Sequence, residues 1–429
     1  MDIFVLLATM FACFLIGMPI AYALALAAIA GALWIGIPLE AVMLQISNGV
    51  SKVAMLTIPF FVLAGAIMAE GGMARRLVNF ADVLVGFTRV RGGLSVVNVI
   101  ATTFLSGISG SAVADTSAIG SVMIPQMDKA GFPRVFATNV TISASVQALL
   151  VPPSHNAVIY SLATGGTISI ISLFMAGVVP GLLLGFALVI LCLVIAYRDG
   201  HPRGQTVPLR QAVKITFEAL WGLVTLAIIL GGILFGVFTA IEAGAVACVW
   251  AFLVTMFVYR DYRWRELPAL VHRTMRTVAM VLTLIACASS VGYIMALTQM
   301  PAKITAFFLT ISANKYVILM LVNIMLLVLG CLVDMAPSIL ICTPILLPVM
   351  LKLGVDPVHF GMIMMLNLGI GLCHPPVGAI LFVGCAVGNV TIEQVLRRIW
   401  PFYAVMFAVL MLVTYLPALS LWLPRLLHL

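Results

Sequence analysis

Asp115 and Asp334 are carboxylates set in apolar sequence, each inside a short run of small and polar residues. The first run is Ser106-Gly107-Ile108-Ser109-Gly110-Ser111-Ala112-Val113-Ala114-Asp115-Thr116-Ser117; the second is Gly330-Cys331-Leu332-Val333-Asp334-Met335-Ala336-Pro337-Ser338. A charge at membrane depth costs at least ~2.5–3.5 kcal/mol, which makes both carboxylates functional candidates. Two Pro-Pro pairs accompany the runs: Pro152-Pro153, followed by Ser154-His155-Asn156, and Pro375-Pro376, preceded by His374. Proline breaks helices, and unwound backbone in apolar surroundings exposes carbonyls. Carbonyls and hydroxyls at an oxygen-only site suit a hard cation such as Na+. Half-helix N-termini offer N–H groups and a positive dipole end, which suit a carboxylate. Asp334 suits a cation. Asp115 suits a ligand role or an N-cap, since Asp-Thr-Ser precedes an apolar run. His155 and His374 flank the pairs on opposite sides and raise the alternative of proton coupling. Glu242, beside Thr239, reads either as a packing contact or as a relay group.

The elements that would position these residues are written twice. The Pro-Pro pairs are separated by 375 − 152 = 223, and the same shift carries Gly107 onto Gly330, Pro125 onto Pro348, Lys129 onto Lys352, Gly131 onto Gly354 and Gly165 onto Gly388. Duplicated helix breaks are the signature of a secondary transporter built from internal repeats. The two carboxylates do not coincide, because 115 + 223 = 338 is Ser338. Gly17 falls on Gly236 at a shift of 219, so a small indel separates the copies.

The chain is 63% hydrophobic and 8% charged with a mean hydropathy of +1.23. Soluble domains carry roughly 25% charged residues, so this is a multi-pass membrane protein embedded in a lipid bilayer. The net charge of +8 comes from Lys and Arg in short loops, a mark of cytoplasmic orientation rather than of nucleic-acid binding. The eight cysteines are scattered without a CxxC pair and read as apolar filler, with no metal site or disulfide expected. No Gly-x4-Gly-Lys-[Ser/Thr] loop is present, so no nucleotide drives the protein. Met1–Asp2 lacks the basic start of a signal peptide.

The first copy is expected over 1–204, with scaffold helices in 1–69, a re-entrant helical hairpin at 92–128 and a broken helix at 135–164. The second is expected over 205–429, with scaffold helices in 215–297, a hairpin at 315–352 and a broken helix at 358–388. Within these, Ile3–Ile37 divides at Gly17-Met18-Pro19, Glu40–Lys52 is a polar connector, and Val278–Leu297 and Trp400–Leu423 are single spans. Alternating the spans places every dense Arg cluster inside, with about ten crossings and both termini outside. The first hairpin then opens inward and the second outward, which gives an inverted-topology repeat.

One enzyme motif stands out. Gly107-Ile108-Ser109-Gly110 spells GxSG, as in intramembrane serine proteases, with His155 or His374 as a candidate base. That remote alternative leaves the second copy without a role, and the protein is expected not to be an enzyme.

Gly107–Gly131, Val151–Ser154, Asp334–Gly354 and Gly371–Gly378 closely resemble the large membrane subunit of tripartite ATP-independent periplasmic (TRAP) transporters, over essentially the whole chain. The resemblance implies an all-α, elevator-type transporter of the bacterial inner membrane, driven by Na+. It implies a periplasmic binding protein that delivers a small organic acid, and a separate small membrane subunit of four helices. It places one Na+ at Ser106, Ser109 and carbonyls near Ala148, Val151 and Pro153, and a second at Gly330, Gly371, His374 and Val377. The family pattern usually has Thr where His374 stands, so here the second site would use the His374 carbonyl. Ser111, Asp115, Ser154, His155, Asn156, Asp334 and Ser338 are the substrate candidates. A proton-coupled organic-anion transporter using Asp115, Asp334 or His374 is the alternative.

Overall fold

The structure, a computed structural model, describes residues 2–204, 208–312 and 314–429. The expected boundary between the copies, 204/205, abuts residues 205–207, which lie outside the described ones. The described residues fold into helices; the only β pairing among them is one antiparallel bridge, Arg91 with Arg203.

In the first copy, α1 (Asp2–Leu15) and α2 (Ile20–Ile35) are divided as the sequence predicts. Gly17 takes the left-handed φ of +79° that glycine tolerates, and Pro19 caps α2. The polar connector is itself a helix, α3 (Leu39–Val50), and a 3-10 turn leads into α4 (Thr57–Glu70). α5 (Met73–Gly86) precedes two helices joined at a two-residue tip, α6 (Gly93–Ser109) and α7 (Ala112–Lys129). α8 (Arg134–Ser145) tightens into a 3-10 turn at Val146–Leu149, breaks, and resumes as α9 (His155–Ala163) before α10 (Ile170–Arg198).

The second half of the chain carries a comparable series of helices. α11 (Leu209–Leu234) and α12 (Ala240–Leu253) are divided at Gly236, with φ +69°. Glu242 closes a capping box there: its carboxylate accepts from the Thr239 N–H at 2.8 Å and hydroxyl at 2.9 Å. α13 (Leu267–Leu297) merges the Arg-rich segment with the expected span, because its polar residues lie on the exposed first turns. At 31 residues it measures about 46 Å, longer than the ~30 Å of a hydrocarbon core. α14 (Met300–Ile311) leads to α15 (Lys315–Leu332) and α16 (Met335–Lys352), joined at Val333-Asp334. α17 (Pro357–Gly371) and α18 (Ala379–Gly388) are the halves of the second broken helix. The last expected span is divided into α19 (Ile392–Tyr415) and α20 (Ala418–Leu426), because Pro417 forces Leu416 out of the helical region.

Among the described residues, eight helical stretches are long and apolar enough to cross a membrane: Val53–Glu70, α10, α11, Ala240–Tyr259, α13, α15, α16 and α19. The halves of the broken helices are shorter. α1–α4 pack with α11–α13, while α6–α10 pack with α15–α20. The two copies of the inner block are exchanged across each other: α7 lies on α18, and α16 lies on α9. Glycine permits this closeness. A Cβ on Gly384 would fall 2.3 Å from Ile142, and one on Gly388 2.3 Å from Thr138.

Candidate functional site

The first tip is built from hydroxyls. Ser106 and Ser109 are one turn apart on α6 and face Asp115 in the first turn of α7. Ser106 Oγ donates to one carboxylate oxygen at 2.8 Å and Ser109 Oγ donates to the other. Asp115 is wholly buried. It is not the N-cap that Asp-Thr-Ser suggests: α7 begins three residues earlier, where Ser111 accepts from the Ala114 N–H at 3.4 Å.

The first break closes on this tip. Gln147 O accepts from the N–H groups of Leu150 and Val151, and Ser154 Oγ donates to Leu149 O at 3.1 Å. The Pro152-Pro153 bond is cis. A Cβ on Gly110 would lie 2.6 Å from Pro153 O and 3.4 Å from His155 N; one on Gly107 would lie 3.5 Å from Pro152 O. Gly110 also has a φ of +61°, so this is a position for glycine on two grounds. Backbone carbonyl oxygen, two hydroxyls and a carboxylate therefore share one corner, with Val151 beside the prolines and Ala148 buried in the preceding turn. These donors, two hydroxyls, a carboxylate and backbone carbonyl, are hard oxygens.

The second tip meets its own break through backbone alone. A Cβ on Gly371 would lie 2.6 Å from the Gly330 carbonyl carbon, and one on Gly330 would lie 3.2 Å from Leu368 O. Val377 N–H donates to Cys331 O at 3.1 Å, fastening the break to the tip. The Pro375-Pro376 bond is also cis. The His374 ring turns back on its own break, with Nδ1 2.7 Å from Pro375 O, and its centroid lies 5.4 Å from that of Tyr403. What His374 offers an ion is its carbonyl, which already accepts from the Gly378 N–H at 3.2 Å. The oxygens at both corners fit a hard cation.

The substrate candidates fall into two groups. Ser111, Asp115, Ser154, His155 and Asn156 surround the first tip; Ser154 and Asn156 are buried, and His155 is half-buried. Asp334 stands at the N-cap position of α16, on the exposed second tip, without a side-chain capping bond, and the buried Ser338 donates to Asp334 O at 2.9 Å. No hydrogen bond between described residues joins the two groups.

Sequence reasoning passed over several groups that hold these corners. Tyr403 donates to Cys373 O at 2.6 Å and braces the second break. Asn98 donates to Thr141 at 2.8 Å, and Asn367 donates to Asn323 Oδ1 at 2.8 Å, tying each tip's first limb to the broken helix beside it. A lone amide in an apolar run was the available signal.

A family model described as the tripartite ATP-independent periplasmic transporter, DctM component, matches residues 7–419. The chain belongs to this family. The DctM family member is 41% identical to the uncharacterized protein YgiK of Salmonella typhimurium, over 96% of this chain and 94% of the relative. It is 37% identical to the C4-dicarboxylate TRAP transporter large permease protein DctM of Rhodobacter capsulatus, with 100% of both chains covered. The fold is similar to the crystal structure of the Alcanivorax borkumensis YdaH transporter, with a TM-score of 0.62 at 14% identity over 88% of each chain. DctM proteins are transporter permeases and not enzymes, which disposes of the GxSG hydrolase; Ser109 here serves Asp115.

Proposed function

We propose that this DctM protein takes up a small organic acid in symport with Na+, by an elevator-type motion. α6–α10 and α15–α20 form the moving block, with two re-entrant hairpins of opposite orientation; α1–α4 and α11–α13 form the scaffold. The observation that carries this is the glycine-permitted contact of each tip with its own copy's helix break, Gly110 on Pro153 and Gly330 on Gly371. Such corners collect oxygen donors from two elements at once, so an ion bound there would tie tip to break.

At the first corner Ser106, Ser109 and carbonyls near Ala148, Val151 and Pro153 would hold one ion. Each serine keeps its proton on Asp115 and turns its lone pairs to the cation. At the second, carbonyls near Gly330, Gly371, His374 and Val377 would hold another. Na+ supplies positive charge between the half-helix N-termini, adding to their attraction for a carboxylate. Ser111, Ser154, His155 and Asn156 on one side and Asp334 and Ser338 on the other are the groups proposed to meet the substrate. The relative named for C4-dicarboxylates supports an organic acid. A periplasmic binding protein delivers it, a small four-helix subunit docks on the scaffold, and the complex resides in the bacterial inner membrane.

The test is uptake by proteoliposomes containing the complete complex. An imposed Na+ gradient at constant pH is expected to drive accumulation. Accumulation indifferent to Na+ but driven by a pH gradient would overturn Na+ symport. It would favour the second reading, proton coupling, for which the observation is a fully buried Asp115 met by neutral hydroxyls.

A further inference from the structure

Away from both corners, a cavity of about 430 Å³ opens between the start of α8, the end of α10 and the first turns of α19. Its wall carries Arg198, Arg397 and Arg398 with one acid, Asp199, and its depth carries Asn139 and His201. Arg198 pairs with Asp199 at 2.8 Å, and Arg397 pairs at 2.5 Å with Glu393 on the same helix. Three guanidinium groups against two carboxylates leave the mouth cationic.

The interior holds two orphaned polar atoms. Asn139 is wholly buried and His201 is 7% exposed, yet Asn139 Oδ1 and His201 Nδ1 have no partner among the described residues. The His201 ring packs against both Phe132 and Phe136, with centroids 4.9 and 4.8 Å away. Asn139 Nδ2 reaches only Val395 O, at 3.4 Å. Buried polar atoms without partners are rare, and here two belong to residues that line one cationic cavity.

The surroundings set the depth. Tyr197 and Trp400, neighbours of Arg198 and Arg398 in sequence, are 59% and 65% exposed. Amphipathic rings of this kind settle at the level of lipid headgroups, and basic pockets between helices at that level bind anionic ones. Guanidinium matches a phosphodiester through paired N–H groups. An orphaned acceptor such as Asn139 Oδ1 calls for a donor, and beside three Arg a neutral hydroxyl is tolerated where an ammonium is repelled. We propose that this cavity binds the phosphoglycerol headgroup of an anionic phospholipid. Its phosphodiester sits on Arg198 and Arg398, and a glycerol hydroxyl meets Asn139 and His201.

Native mass spectrometry of the full chain, titrated separately with phosphatidylglycerol, phosphatidic acid, phosphatidylethanolamine and inorganic phosphate, tests this. Phosphatidylglycerol is expected to bind tightest. Arg198→Gln and Arg398→Gln, both at exposed side chains, are each expected to weaken it about fivefold and together about 25-fold. Arg263→Gln, at an exposed position outside the cavity, is expected to leave it unchanged. Asn139→Leu is expected to bring phosphatidylglycerol down to the level of phosphatidic acid while leaving the latter unmoved. Equal binding by the double variant would overturn the site. Phosphatidylethanolamine binding as tightly would overturn the headgroup chemistry. Inorganic phosphate displacing the lipid at equal concentration would replace the lipid by a soluble anion.

Discussion

Ser106 and Ser109 each have two roles to fill at once, donating to Asp115 and, in the proposed mechanism, accepting a cation. A hydrogen bond to a charged group is worth ~1.5–3 kcal/mol, so Ser106→Ala is expected to raise the Na+ concentration for half-maximal uptake about tenfold or more. An unchanged Na+ dependence in the same vesicles would remove Ser106 from the ion site. Gly110 is a sharper case. Gly110→Ala combines a left-handed backbone, costing ~1–2 kcal/mol, with a methyl 2.6 Å from Pro153 O. Gly165 shares the conformation (φ +79°) but has nothing within 4 Å of its would-be Cβ. Thermal unfolding should therefore fall modestly for Gly165→Ala and further for Gly110→Ala, and only the latter should lose uptake.

At the scale of the element, the second tip depends on two backbones in contact. Gly371→Ala drives a methyl into the Gly330 main chain at 2.6 Å, which no rotamer change relieves. Gly330→Ala meets its neighbours at 3.2 Å and can be absorbed by small shifts. Uptake is expected to be abolished by the first and reduced by the second, with both variants still inserted in the membrane; the opposite ranking would mean the break does not seat as described. The helix breaks themselves were legible in the sequence, because Gly and Pro act locally and were written twice. The partners of the residues were not. Asp115 reads as a cap from its neighbours, but its hydroxyl donors come from the preceding helix, nine and six residues back. Likewise nothing local in Trp400–Leu423 announces that Tyr403 braces Cys373, since that contact is made only by packing. The long α13 was missed because a run of Arg reads as a loop until its exposed face is known.

At the scale of the molecule, the scaffold and the inner block meet across a cavity of about 250 Å³, lined by Ala288 and Ser289 on one side and by Leu162, Leu340 and Pro344 on the other. In the proposed elevator motion these walls would slide past each other. Cysteines at Ala288 and Leu340 bridged by a flexible, reducible thiol cross-linker are expected to stop uptake, and reductant is expected to restore it. Uptake that continues through the cross-link would show that the walls do not move relative to each other.

The one β bridge among the described residues bears on how far such a block could travel. Gly204 is held to the root of α6, its N–H on Val90 O at 3.2 Å, while Pro208 already caps the scaffold helix α11. Only 208 − 204 = 4 residue steps separate the two anchors. Fully extended, they reach about 14 Å. The covalent chain is thus a leash: any stroke that carries Val90, at the root of α6, much farther than this from Pro208 must first unfasten the bridge.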